Sequence, residues 1–216
     1  MTMKFYHHPL SSFCWKVLIA LYEKGVVFEP VLVNLGDAAE SAAFIKLSPM
    51  RKMPAIVRGE DVVNESSIQL EWLDQNAGGP KLMPADPSQA LDVRGWDRFF
   101  DTYVHYPMQR IVGDRLRPAD KRDAYGVAEN RTQLGVALDV IEKHMGRRTF
   151  ASGDGFSLAD CSAAPALFYA NKVLPFEQTH PNTGAYLKRL SERPSFARVL
   201  QEAEPFFQYF PKEDAA

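Results

Sequence analysis

The sequence predicts a small α/β domain followed by an all-α domain. Three observations carry this reading. Short β-type runs alternate with helical runs as far as Gln75. The stretch Gly78-Gly79-Pro80-Lys81-Leu82-Met83-Pro84-Ala85-Asp86-Pro87 is a linker by composition. Beyond it strand signals nearly vanish and apolar residues recur at steps of three and four. The expected boundaries are 1–79 for the α/β domain, 80–87 for the linker and 88–216 for the helical domain.

Taken in order, Lys4-Phe5-Tyr6 is a short strand ended by His8-Pro9. Apolar residues at 14, 17, 18, 21 and 22 share one face of a helix that stops at Gly25, a residue suited to the left-handed position after a helix. Val26–Val33 is rich in β-branched residues, and Pro30 within it suggests an edge or a bulge. A short helix is expected near Ala38–Leu47. Ala55-Ile56-Val57 and Asp61-Val62-Val63, separated by Arg58-Gly59-Glu60, read as a β-hairpin. Glu65-Ser66-Ser67 then opens a helix through Gln75, so the order is β-α-β-α-β-β-α. In the second part Val93, Trp96, Phe100, Val104, Met108 and Ile111 trace a long helix that Pro107 should kink. Leu134, Leu138, Ile141 and Met145 mark another, and Ser157-Leu158-Ala159-Asp160 is a capping box with Asp in the Glu/Gln role. Pro181–Leu190 and Pro194–Phe207 read as two more helices.

Composition narrows the function. Of 216 residues, 25 are Lys or Arg and 27 are Asp or Glu, which argues against a nucleic-acid binder with its basic excess. No apolar run approaches a membrane span, and the N-terminus lacks the apolar core of a signal peptide. Two cysteines, Cys14 and Cys161, make no disulfide framework, so a reducing cytoplasm is the expected compartment. His7 and His8 are adjacent and lack the spacing of metal ligands.

Three segments carry candidate chemistry, and each has a structural reading beside the functional one. At the first strand–helix junction, Ser11 either caps the helix or donates a hydrogen bond to a bound thiolate, which a helix N-terminus also stabilises. Pro54, just before a strand, is either trans or cis. A cis bond would leave the Met53 backbone N–H and C=O free to pair with a peptide-like ligand. Ser66 either caps its helix or, with the adjacent N–H groups, binds a carboxylate while Glu65 accepts from an ammonium. One zwitterionic amino-acid head group would satisfy both residues.

The order of these segments on one β-α-β-α-β-β-α unit resembles the soluble glutathione transferases, which join a thioredoxin-like N-terminal domain to an all-α C-terminal domain. The resemblance covers essentially the whole chain. Ser11-Ser12-Phe13-Cys14-Trp15-Lys16-Val17-Leu18-Ile19-Ala20-Leu21 looks like the serine-type classes, closest to the zeta class, and its Ser-x-x-Cys spacing also matches the theta class. Ser48-Pro49-Met50-Arg51-Lys52-Met53-Pro54 resembles the family's loop with a cis proline, and Glu65-Ser66 its γ-glutamyl-binding pair. Gly153–Asp160 resembles its C-terminal capping segment.

The resemblance implies glutathione as co-substrate and a homodimer. It implies Ser11 as the thiolate-stabilising hydroxyl, with Ser12 and Phe13 beside it among the glutathione-contacting positions. Ser12 would either substitute for Ser11 or contact the substrate. Met53 and Pro54 would face the cysteinyl part, Arg51 or Lys52 the glycine carboxylate, and Glu65 and Ser66 the γ-glutamyl group. The electrophile is expected between the domains, against His8 and Leu10 of the first loop and Tyr103, Tyr106 and Arg110, which share a face at helical spacing; the structural alternative is helix–helix packing for the two tyrosines and a solvated Arg110. Gln208-Tyr209-Phe210 either cover this cleft or simply pack. Two departures from the family patterns matter. Phe13 stands where the zeta class has a cysteine, which weakens a maleylacetoacetate-type isomerase, and Ser11 replaces the attacking cysteine of a Cys-x-x-Cys pair. Cys14 is then a core residue. The alternatives to a transferase are that isomerase and a docking module that has the fold without turnover.

Overall fold

A computed structural model describes residues 2–213; residue 1 and residues 214–216, at the ends of the two expected domains, lie outside the described residues. The first part contains β1 (Met3–His7), α1 (Ser12–Glu23), β2 (Phe28–Leu32), α2 (Ala38–Ile45), β3 (Ala55–Arg58), β4 (Asp61–Val63) and α3 (Ser66–Asn76). This is the predicted order. The sheet runs β2-β1-β3-β4, with β1 parallel to β2 and antiparallel to β3, and β3 antiparallel to β4. Pro30 sits on the edge strand β2, where its missing N–H costs the ladder least.

The second part is helical: α4 (Pro87–Phe99), α5 (Tyr106–Arg115), α6 (Ala124–Met145), α7 (Leu158–Val173), α8 (Pro181–Ser191) and α9 (Pro194–Ala203). A π-helical segment, Phe100–His105, joins α4 to α5, and a 3₁₀ segment, Glu204–Tyr209, follows α9. The irregularity expected from Pro107 therefore takes the form of a π turn on its N-terminal side. Proline lacks the N–H that would close a regular turn, and the wider i→i+5 pattern accommodates the loss.

The parts share one core centred on α1. This helix is buried around almost its whole circumference, from Ser12 to Leu21, because α3, α7 and α9 all pack against it. Trp15 is fully buried among Phe168, Tyr169, Phe196 and Phe207. The compositional linker is firmly tied down. The buried Asp74 carboxylate accepts from Lys24 Nζ (2.8 Å) and from the N–H groups of Leu82 (2.9 Å) and Met83 (2.7 Å). Gly79 passes so close to Lys24 that a Cβ would lie 2.4 Å from its carbonyl oxygen, and its φ is +81°. At α7 the Asp160 half of the capping box forms: the carboxylate accepts from the Ser157 N–H (2.8 Å) and also from the Ala151 N–H (2.9 Å) and Tyr186 hydroxyl (2.5 Å). No helix among the described residues is long and apolar enough to cross a membrane.

Candidate functional site

The β1–α1 loop is built from its own hydrogen bonds. His8 Nδ1 accepts from the Leu10 N–H (3.2 Å), the Ser11 N–H donates to the His8 carbonyl (3.0 Å), and Trp15 Nε1 donates to the Pro9 carbonyl (2.6 Å). These contacts set Ser11 at the N-cap of α1, where its Oγ accepts from the Cys14 N–H at 3.4 Å. A hydroxyl has two acceptor lone pairs and one donor hydrogen. The cap uses a lone pair, so the Ser11 O–H remains available to an anion at the positive end of the helix. The two readings of Ser11 are thus compatible.

Ser12 is buried and differently engaged. Its Oγ bonds to Nε2 of His105 on the π-helical segment, and the Phe13 ring stacks on the same imidazole at 4.0 Å and 4°. Burial holds the His105 pKa down to about 3, so the ring is neutral. Cys14 is fully buried and burial pushes its thiol up to about 12, which makes it an inert core residue.

The loop before β3 is a tight turn. Ser48 Oγ bonds to the Lys52 carbonyl (2.9 Å), Arg51 has φ +55°, and the Met53-Pro54 bond is cis. Arg51 Nη2 donates to Ser41 on α2 (2.9 Å), whereas Lys52 turns to the cleft described below. The Met53 N–H and C=O make no hydrogen bond among the described residues.

The start of α3 departs from the expected cap. Glu65, at φ +65°, occupies the cap position and makes no side-chain cap bond; Ser66 is the first helical residue and is buried. The first N–H groups of α3 thus lack a side-chain acceptor, the arrangement that suits an anionic ligand. Gln69, one turn on, is fully buried and donates to the carbonyls of Pro54 (2.9 Å) and Val63 (2.8 Å). It ties the cis-proline loop to the helix that carries Ser66, and sequence reasoning missed it because nothing separates such a Gln from a surface one. Gln69→Leu removes the donor from two carbonyls. A stability loss of about 1–3 kcal/mol is expected, measured by urea unfolding, together with weaker glutathione binding by calorimetry.

Between the β1–α1 loop and α5 lies a cleft of about 540 Å³. Leu10, Ser11, Ser12 and Lys52 line one side, and Tyr106, Arg110, Tyr169 and Phe210 the other. The Tyr169 hydroxyl donates to the Leu10 carbonyl (2.9 Å), and Phe210 stacks on Tyr169 at 5.5 Å. Phe210 of the C-terminal segment therefore both packs and walls the cleft. Two residues expected here stand outside its lining. His8 is spent within its own loop, and Tyr103 packs on Phe99 at 5.3 Å. The π turn is the reason for Tyr103: its different pitch breaks the helical face expected to join 103 to 106 and 110. Phe13 likewise faces His105 and is absent from the lining. Among the described residues no group of three or more His, Cys, Asp or Glu is placed to hold a metal ion.

The family models for the glutathione S-transferase N-terminal and C-terminal domains match residues 5–81 and 99–194. Glutathione S-transferase 3 of Zea mays is 33% identical over 208 residues, covering 92% of this chain and 93% of the relative. A glutathione S-transferase of Pseudomonas putida is 25% identical over 94% of this chain and 93% of its own. Among solved structures, a glutathione S-transferase from Methylobacterium radiotolerans in complex with glutathione sulfonate superposes with a TM-score of 0.81. It is 28% identical and covers 100% of this chain and 98% of that one.

Proposed function

Because the chain belongs to the glutathione S-transferase family, we propose that it is an enzyme that joins glutathione to a small apolar electrophile, using Ser11 to stabilise the glutathione thiolate. The observation that carries this reading is the geometry of Ser11: an N-cap whose oxygen takes the helix N–H while its hydrogen stays available at the cleft wall. The likeness of the Ser11–Leu21 segment to the zeta class and the Ser-x-x-Cys spacing that matches the theta class support the serine type.

In this reading Met53 pairs through its free backbone groups with the cysteinyl part of glutathione. The γ-glutamyl carboxylate meets Ser66 and the first N–H groups of α3, and Glu65 accepts from the ammonium. Lys52, freer than Arg51, meets the glycine carboxylate. A free thiol has a pKa of about 8.5, so only a few per cent is thiolate at pH 7. A hydrogen bond to a charged acceptor contributes about 1.5–3 kcal/mol, which at 1.36 kcal/mol per unit lowers the pKa by about one to two units. The helix dipole adds a few tenths to about 1 kcal/mol. Serine therefore need not act as a base. The thiolate attacks an electrophile held against Leu10, Tyr106 and Arg110, and a C–S bond forms either as the bond to a leaving group breaks or as the π bond of an activated alkene opens and its other carbon takes a proton from water. The protein works as a cytoplasmic homodimer.

The direct test is turnover with 1-chloro-2,4-dinitrobenzene. One glutathione consumed and one chloride released per conjugate is the expected result. Glutathione that binds without being consumed while a cis/trans substrate isomerises would favour the isomerase. No calorimetric binding of glutathione would overturn the reading in favour of a docking module.

A further inference from the structure

The charge of the Ser11 cleft is one-sided. Its lining holds two cations, Lys52 and Arg110, and among the described residues no Asp or Glu. Neither cationic head is engaged: no hydrogen bond, ion pair or ring contact ties either one to another described residue. The next arginines along the chain are spent. Arg115 donates to the Pro211 carbonyl (3.1 Å) and to Glu213 (3.0 Å), and Arg117 donates to Asp114 (3.0 Å). Asp114 lies one turn beyond Arg110 and borders a small hollow that Arg110 also touches. Its carboxylate is already taken by Arg117 and by the Asp123 N–H (2.9 Å). Asp123 in turn caps α6 through the Gly126 N–H (2.8 Å). Arg110 is exposed and leaves five guanidinium donors unmet by protein. The wall around it is apolar, with Met108, Val112 and Leu116 from the same stretch of chain.

We propose that Arg110 determines specificity by selecting electrophiles that carry a carboxylate on an apolar body. The assignment rests on the reading of Ser11 as the residue that holds the glutathione thiolate. In that reading the glycine carboxylate of glutathione takes Lys52, which leaves Arg110 as the cation for the second substrate. A guanidinium meets a carboxylate through two parallel N–H bonds, so it orients the substrate as well as attracting it. An anionic electrophile is repelled by the thiolate it must approach, and the charge of Arg110 offsets that repulsion. With no acidic residue in the lining, nothing else on the walls opposes an anion. Ser11 and Arg110 come from different sides of the cleft, so the reacting carbon and the carboxylate belong at opposite ends of the substrate body.

4-Chloro-3,5-dinitrobenzoate and its methyl ester test this. In both, the C–S bond forms at the carbon para to the carboxyl group while the C–Cl bond breaks and chloride leaves. Each rate is divided by the uncatalysed rate with free glutathione. Wild type should favour the acid at least tenfold in kcat/KM, the effect of a charge-assisted pair. Arg110→Gln should lower the acid-to-ester ratio at least tenfold, whereas Arg110→Lys, which keeps the charge, should retain most of it. The KM for glutathione should stay within about twofold in both variants. Binding is read separately, by calorimetry of 3,5-dinitrobenzoate with the S-methylglutathione complex. This acid has no leaving group and should bind at least tenfold more weakly to Arg110→Gln. Arg110-dependent binding without chloride release from either compound would sink the transferase reading and leave the assignment of Arg110 standing. An acid-to-ester ratio unchanged in Arg110→Gln, a wild-type preference for the ester, a loss that appears only in the glutathione KM, or no binding of 3,5-dinitrobenzoate would each overturn the assignment, while turnover of the ester would still uphold the transferase.

Discussion

Ser11→Ala is expected to lower glutathione conjugation at pH 6.5 by about ten- to a hundred-fold while leaving the affinity for glutathione within a few-fold. The magnitude follows from one lost hydrogen bond to a charged sulfur, about 1.5–3 kcal/mol, at about 1.4 kcal/mol per tenfold. Most of the deficit should disappear at high pH, where the thiol ionises unaided, so the variant's pH–rate profile should shift upward by one to two units. Ser11 also caps α1, and its loss should cost about 1 kcal/mol of stability, roughly 2–4 °C for a chain of this size. Ser11→Thr retains the hydroxyl and should keep most of the rate. Ser12→Ala should shift the profile far less, because the Ser12 hydroxyl is committed to His105. Stopped-flow assays of the three variants between pH 5.5 and 9 check the whole pattern.

The largest stability effect is expected at Lys16. Its side chain is completely buried, with Nζ 2.6 Å from Asp97, 2.8 Å from Asp101 and 2.9 Å from Ser67. Ser67 also donates to Asp97 (2.7 Å), so this cluster joins α1, the start of α3 and the α4–π junction, one residue from Ser66. Lys16→Met keeps the volume and removes the charge, leaving two buried carboxylates without a cation. A loss of about 3–5 kcal/mol is expected. The pH dependence has a definite sign. Burial already raises the Asp101 pKa above the ordinary carboxylate value, and removal of Lys16 takes away a lowering influence. A carboxyl whose pKa is higher folded than unfolded binds protons more readily when folded, so it favours folding as pH falls. Lys16→Met should therefore be more stable, relative to wild type, at pH 5.5 than at pH 7.5 in urea unfolding. Adding Asp97→Asn and Asp101→Asn should recover much of the loss; a deficit independent of pH and of these changes would point to packing alone.

The order of elements was legible because it depends on apolar period and on glycine and proline, which are local signals. Gly25 after α1, Pro30 on the edge strand and Asp160 in the capping box each follow from such rules. What escaped the sequence was tertiary. Lys16 lies off the apolar stripe and reads as solvent-facing, yet α1 is covered on both sides and its charge is met by Asp97 and Asp101, far along the chain. Ser66 looks like a cap by residue type, but Glu65 at positive φ takes that position. A 3.6-residue period would bring Tyr103 to the cleft with Tyr106 and Arg110, but the π turn does not keep that period. His105 and Gln69 carry no local mark of their roles, since each is defined by partners that the fold brings to it.

The central claim is that the Ser11 hydroxyl holds glutathione as a thiolate. The measurement that meets it most directly is the pH titration of thiolate absorbance for glutathione bound to wild type and to Ser11→Ala. A pKa well below that of free glutathione in wild type, returning most of the way to the free value in the variant, is the predicted result. A lowered pKa that survives the substitution would contradict the account and pass the role to Ser12 or to the helix terminus alone.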